Sequence, residues 1–166
     1  SVMHGVESGL HWIITYGDKD KDFLLEYDFP KERKHGGLTV QSWTDSRESI
    51  LQKNGDMPKY PIAPVEVQGY AWLALKLWGE FYLEHSPSFG HKLLVQATKL
   101  KKSFNKQFII KDSGKYFAAQ ALDGDKNPIK TVTGNPLLLF WATYYGKLGN
   151  ECILEDKYIL SVQCIL

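Results

Sequence analysis

The stretch PIAPVEVQGYAWLALKLWGEFYLEH, residues 61–85, limits what this chain can fold into more than any other. Pro64 suits the first turn of a helix, where a missing N–H costs nothing. After it, Val65, Tyr70, Trp72, Leu73, Ala74, Leu75, Leu77, Trp78, Phe81 and Tyr82 leave almost no polar face. A helix that is apolar all round is expected to be buried on all sides. No segment, this one included, approaches the roughly 18 to 20 unbroken apolar residues of a membrane span.

The neighbouring segments differ. From Ser88 to Phe108, Leu93, Leu94, Ala97, Leu100 and Phe104 form one stripe and polar residues fill the rest, as in a helix with one face in water. Lys99, Lys101 and Lys102 belong to that wet face. The contrast then repeats. LLLFWATYYGKL, Leu137 to Leu148, is apolar nearly all round, and ECILEDKYILSVQCIL after it is mixed. A first helix is expected from His4 to Tyr16 on the stripe Val6, Leu10, Ile13 and Ile14. Buried and half-exposed helices alternate, as in a double ring with an inner layer and an outer one. The expectation is an all-α chain, a partial (α/α)6 toroid. Its long loops would gather at one end with short extended pieces, among them Gly114 to Pro136. Residues 1–166 read as a single domain. The helices account for only part of such a ring, so the chain is expected to be a fragment of a larger catalytic toroid, or to self-associate through an exposed apolar edge.

Composition narrows the partners. A net charge of +1 gives no electrostatic footprint for nucleic acid or an anionic membrane. SVMHGVESG shows no secretory signal. Cys152 and Cys164 read as buried free thiols of a reducing, cytoplasmic compartment. GDKDKD, Gly17 to Asp22, alternates Asp18, Asp20 and Asp22 like a calcium loop. However, Phe23 stands where such a loop needs glycine, and Phe29 where it needs a bidentate glutamate. The histidines (His4, His11, His35, His85, His91) lack metal-ligand spacing. P-loop, G-x-G-x-x-G, H-E-x-x-H and G-x-S-x-G motifs are absent. Neither a metal nor a cofactor is expected.

Chemistry concentrates in GGLTVQSWTDSRES, Gly36 to Ser49. It lies in an irregular region, Phe23 to Met57, of the kind that is usually functional or flexible. A bland reading makes it a loop entering a helix, capped by Thr44, Asp45 or Ser46. The other makes it a sugar site. Cleavage of a glycoside needs one carboxylic acid at the leaving oxygen and a second carboxylate about 5 to 9.5 Å away. Asp45 and Glu66 are the carboxylates that stand out, the latter at the entrance to the most apolar helix. Gln41, Arg47, Gln68 and Tyr70 supply polar partners, with Glu48 nearby. Trp43 and Trp72 are either core or plates for sugar faces. Glu66 reads equally as a first-turn acid favoured by the helix dipole. It could also be the partner carboxylate of Asp45.

These blocks resemble the glycogen-debranching, or amylo-alpha-1,6-glucosidase, family. Its Q-x-W-x-D-S block is matched by Gln41, Trp43, Asp45 and Ser46, and its following glycine by Gly55. P-I-A-x-x-E-V-Q-G-Y is matched by Pro61, Ile62, Ala63, Glu66, Val67, Gln68, Gly69 and Tyr70. A-L-D-G-x-K is matched by Ala121, Leu122, Asp123, Gly124 and Lys126. S-N-P-G-H-L-L-W is approximated by Asn135, Pro136, Leu138 and Trp141, with Gly134 before the Asn and Leu137 and Leu138 after the Pro as departures. The resemblance implies a helical toroid acting on an oligosaccharide or glucan, with Asp45 as general acid. Gln41, Trp43, Arg47, Glu66, Gln68 and Tyr70 would line the sugar pocket. The general base would lie further along the polypeptide. A non-catalytic carbohydrate-binding or scaffold module is the alternative.

Overall fold

A computed structural model describes residues 2–29, 38–44 and 46–163 of the 166-residue chain. Helix α1 spans Val2–Thr15 and buries Leu10, with Val6, Ile13 and Ile14 against the same core. Strand β1, Ala63–Pro64, leads directly into α2, Val65–His85. Helix α3, Pro87–Gln107, follows after Ser86, with proline in its first turn. α2 and α3 form an antiparallel hairpin around Trp72, Leu75, Leu93, Ala97, Leu100 and Phe104. Gly90 makes the close approach possible, because a Cβ there would lie 2.6 Å from the Leu83 backbone nitrogen.

After α3 the chain is mostly extended. β2, Ile109–Asp112, pairs antiparallel with β3, Lys115–Ala118. β4, Ala121–Leu122, pairs with both β1 and β5, Pro128–Ile129, making a three-stranded sheet in the order β1–β4–β5. A 3₁₀ turn at Asn135–Leu137 runs into the one-turn helix α4, Leu138–Trp141. β6, Tyr144–Gly146, and β7, Gly149–Glu151, form a hairpin, and α5 spans Asp156–Gln163. A second, smaller core joins Tyr27, Val40, Ile50, Ile62, Ala121 and Ile129. Among the described residues, no helix is long and apolar enough to cross a membrane.

The all-α expectation, and with it the partial (α/α)6 toroid, is overturned. The protein is mixed α/β, with five α-helices and three small antiparallel sheets among the described residues. The expected helices at His4 to Tyr16 and Ser88 to Phe108 are present within a residue or two. The expected inner helix from Leu137 to Leu148 is only α4 and the β6 arm of a hairpin. A short apolar run between Pro136 and Gly146 cannot be told from a buried strand by periodicity. The mixed segment after it helps complete the hairpin through β7 and is helical only from Asp156. α2 is not enclosed either. Tyr70, Leu77 and Phe81 form an exposed apolar stripe on it. Among the described residues, no helix begins between Trp43 and Ile50; Ser49 closes a turn by donating its N–H to the Ser46 carbonyl at 3.0 Å.

Candidate functional site

The site is built around the start of α2. Its position is fixed by the three-stranded sheet, since β1 runs straight into the helix and the Val65 N–H donates to the Gln120 carbonyl at 3.0 Å. Glu66, in the first turn, is 1% exposed. A carboxylate at a helix N-terminus gains from the dipole, yet a buried one also needs direct donors. Three supply them. The Ser42 hydroxyl and the Trp43 N–H, the latter at 3.2 Å, donate to Oε1. The Asn135 side-chain amide donates to Oε2 at 3.4 Å. Ser42 and Trp43 come from the first motif block, Glu66 from the second and Asn135 from the last, so one carboxylate joins three of the four blocks.

The motif loop is plugged in at both ends. Val40 and Ile50 are fully buried in the small core. The Tyr60 hydroxyl donates to the Thr39 carbonyl at 2.7 Å, and the Gln120 amide to the Ser49 carbonyl at 2.7 Å. Between these anchors Trp43 stands 73% exposed, and Arg47 and Gln41 are also at the surface. The Gln41 amide donates to the Asp28 carbonyl at 3.3 Å. Asp45 lies outside the described residues. Tyr70, 40% exposed, follows Glu66 by about one helical turn. Burial, and then the Glu66 charge, push its phenol up. Burial also pushes up the Tyr27 phenol, with Tyr60 and the Glu66 charge adding to it against an opposing Gln41 N–H.

Gln68 has a different position from its neighbours in the motif. It is fully buried. Its amide donates to the Leu25 and Pro64 carbonyls at 2.8 and 3.0 Å, and its oxygen accepts the Leu25 N–H at 2.8 Å. Both donors and the acceptor are thus engaged with backbone. Trp72 is core, 1% exposed.

A second polar cluster explains the A-L-D-G-x-K block. Asp123 accepts the N–H groups of Asp125 and Asn127 at 3.0 and 2.8 Å, tightening a turn. Gly124 passes so close to Tyr60 that a Cβ would fall 2.3 Å from its carbonyl oxygen. Lys126, at φ +62, is thereby aimed into the acidic loop. Its ammonium contacts Glu26, Asp20 at 3.0 Å and Asp22 at 3.2 Å. Asp18, Asp20 and Asp22 each bring an oxygen within 4.8 Å of the others. Two of them face the lysine, and Asp18 accepts the Asp22 and Phe23 N–H groups. Burial raises Asp20 but is outweighed by Lys126, so it ends below the usual carboxylate range. Deeper burial keeps Glu26 above that range despite Lys126.

Ser42 and Asn135 as partners of Glu66, and Lys126 as the cation of the acidic loop, were not anticipated. Ser42 lies between two singled-out residues, and Asn135 opens the last block. The Lys126 pairing had a signal in the acid-rich loop, which needs a cation from elsewhere in the chain. A cleft of about 810 Å³ opens beside Glu48 and Ser49, against Lys115, Phe117 and Lys130. Cys152 is a buried free thiol, and burial raises its pKa; Cys164 lies outside the described residues. Compared with models of known protein families the sequence matches none, and comparison with curated proteins finds no matching relative.

Proposed function

We propose that this protein is a glycoside hydrolase, or the acid-bearing part of one, acting on alpha-linked glucans in the manner of glycogen-debranching glucosidases. The observation that carries the reading is the convergence of Ser42, Trp43 and Asn135 on Glu66, with the Trp43 side chain largely exposed and Tyr70, also exposed, one turn further along α2. Exposed aromatic rings beside ordered polar groups suit the apolar faces and hydroxyl edges of sugars. The cleft next to Glu48 and Ser49 offers room for further glucose units.

In the proposed reaction the Asp45 carboxyl gives its proton to the glycosidic oxygen as the bond to the anomeric carbon breaks. A water, deprotonated by a second carboxylate, attacks that carbon from the opposite face and yields the inverted sugar. Glu66 is not assigned the base role, because both its oxygens already accept from Ser42, Trp43 or Asn135. Titration calorimetry with maltooligosaccharides tests the pocket. Micromolar to millimolar binding that Trp43→Ala abolishes is expected, and absence of any binding to the intact protein would refute the reading. Asp45→Asn is expected to lower hydrolysis by at least about a hundredfold, the scale of general acid catalysis; undiminished turnover removes Asp45 from the role.

The commitment of Glu66 to protein donors also favours a second reading, a non-catalytic carbohydrate-binding module. That reading predicts sugar affinity unchanged in Asp45→Asn and no hydrolysis in either protein.

A further inference from the structure

We propose that Glu66 is a positioning residue, whose carboxylate clamps the Trp43-bearing loop in its sugar-binding conformation rather than touching the sugar. The inference rests on the carbohydrate reading above for its consequence, but not for its structural content.

The case begins with how little else holds the middle of the loop. Its ends are plugged by Val40 and Ile50. Between them, among the described residues, the backbone donates at Ser49, to Ser46, and at Trp43, to Glu66, while the Gln41 N–H faces the Tyr27 phenol. The remaining tethers are side chains: Ser49 closes on Thr44 and Ser46, Gln120 holds the Ser49 carbonyl, and Gln41 reaches the Asp28 carbonyl. Among the described residues, the Thr44 hydroxyl oxygen and the Gln120 amide oxygen are buried with no hydrogen-bond partner. A segment with so few ordered backbone bonds draws its conformation from its few side-chain anchors.

Glu66 is suited to be the main one. It belongs to a long, regular helix whose start is fixed by a sheet, so it is a rigid post. It is charged, and hydrogen bonds to a charged acceptor are roughly twice as strong as neutral ones. It takes two neighbouring donors of the loop at one oxygen, which fixes the backbone at Ser42 and Trp43. Its other oxygen holds Asn135, which opens the 3₁₀ turn, so the same post sets two walls of the site.

The clamp separates geometry from charge. In Glu66→Gln one oxygen remains to accept from Ser42 and Trp43, and Asn135 can turn its amide oxygen toward the new NH₂. Glu66→Ala leaves both loop donors without an acceptor. Hydrogen exchange on the intact protein, with and without maltotriose, reads this directly. In Glu66→Ala we expect exchange of the peptide covering residues 40–50 to rise at least about tenfold while α3 is unchanged, and sugar affinity to fall in step. Glu66→Gln is expected to restore the loop protection and to bind sugar within about threefold of the parent. Ser42→Ala, which leaves the carboxylate in place, should give a partial rise and serves if Glu66→Ala does not fold.

Two results overturn the proposal. One is unchanged loop exchange in both Glu66→Ala and Ser42→Ala. The other is Glu66→Gln with a protected loop but lost affinity, which would put the carboxylate on the sugar itself. If the parent protein binds no sugar, the proposed function falls, while the exchange data still decide the clamp.

Discussion

Between α2 and α3, apolar side chains meet over two long helices. Trp72, Leu75, Leu93, Leu100 and Phe104 are each surrounded by others of their kind. The shell made by residues 17–29, 38–44 and 119–135 lends Leu24, Leu25, Ala119 and Leu122 to that core, has only a small core of its own, and is fastened by single polar groups as well. Gln68 holds Leu25, Lys126 holds the acidic loop, and Glu66 holds Trp43. The first region gains stability in proportion to area, spread over many contacts. The second depends on particular atoms. Losing one of these fasteners leaves a buried charge or polar group without its partner, a cost that shape alone does not predict. The difference also divides labour, because the hairpin provides the rigid post and the shell carries the exposed groups.

The largest loss is expected in the hairpin. Phe104 is fully buried and stacks on Phe108 with ring centroids 4.7 Å apart. Phe104→Ala should cost about 4 kcal/mol through lost transfer energy and a cavity, read as a lower midpoint in urea unfolding. A loss below about 0.5 kcal/mol, the range of surface substitutions, would mean that the hairpin is not the main store of stability.

Next comes the shell. Lys126 is the cation for Glu26, whose side chain is only 1% exposed, while the lysine itself is 22% exposed. Lys126→Met keeps the stem and removes the charge. It should cost about 3 kcal/mol at pH 7, at the low end for breaking a buried pair because the lysine is partly solvated. The pH dependence identifies the cause. Asp20, held low with the help of Lys126, contributes stability above its unfolded value that is lost as pH falls. Removing the lysine cancels that contribution. Glu26, already raised by burial, rises further once Lys126 no longer opposes it, and its charged form is then penalised until it takes up a proton. Both effects make the deficit of the variant shrink as pH drops from 7 toward the ordinary carboxylate values of 3.8 and 4.5. A deficit constant over that window would show that packing of the lysine stem, not its charge, was lost.

The same division explains what could be read from the residues. The stripes Val6–Leu10–Ile13–Ile14 and Leu93–Ala97–Leu100–Phe104 repeat at helical spacing, and α1 and α3 follow from them. Leu137 to Leu148 carries a comparable density of apolar residues, but these divide between the one-turn helix α4 and the hairpin strand β6, which a helical count cannot distinguish. The exposed stripe of Tyr70, Leu77 and Phe81 shows a further limit, since an apolar sequence states what a helix could bury and not what lies against it. Within the site, the residue types were legible but their duties were not. Glu66 and Gln68 are two apart in one motif, and only the structure separates a carboxylate gathering three segments from an amide committed to the Leu25 backbone. Asn135 leaves no local pattern, and the acid-rich loop signals a need for a cation without identifying Lys126, because their spacing to Glu66 and Glu26 is set by the path of the whole chain.

The smallest effect on stability is expected at the most conspicuous residue of the motif. Trp43 is 73% exposed, and its ring has little apolar surface hidden from water to lose. Its backbone N–H, which Glu66 holds, is untouched by a change of side chain. Trp43→Ala should therefore leave the unfolding midpoint within about 0.5 kcal/mol of the parent, as for surface substitutions elsewhere. A large exposed indole on a loop held at its ends and by Glu66 contributes little to the fold, and ligand binding is the role that the proposed function gives it. The paired readouts sharpen the contrast between the regions. Phe104→Ala should weaken the fold with sugar affinity retained in the folded fraction, and Trp43→Ala should do the reverse. A drop of 2 kcal/mol or more in Trp43→Ala, on the scale of a buried side chain, would place the indole in a packed interface and take it out of the site.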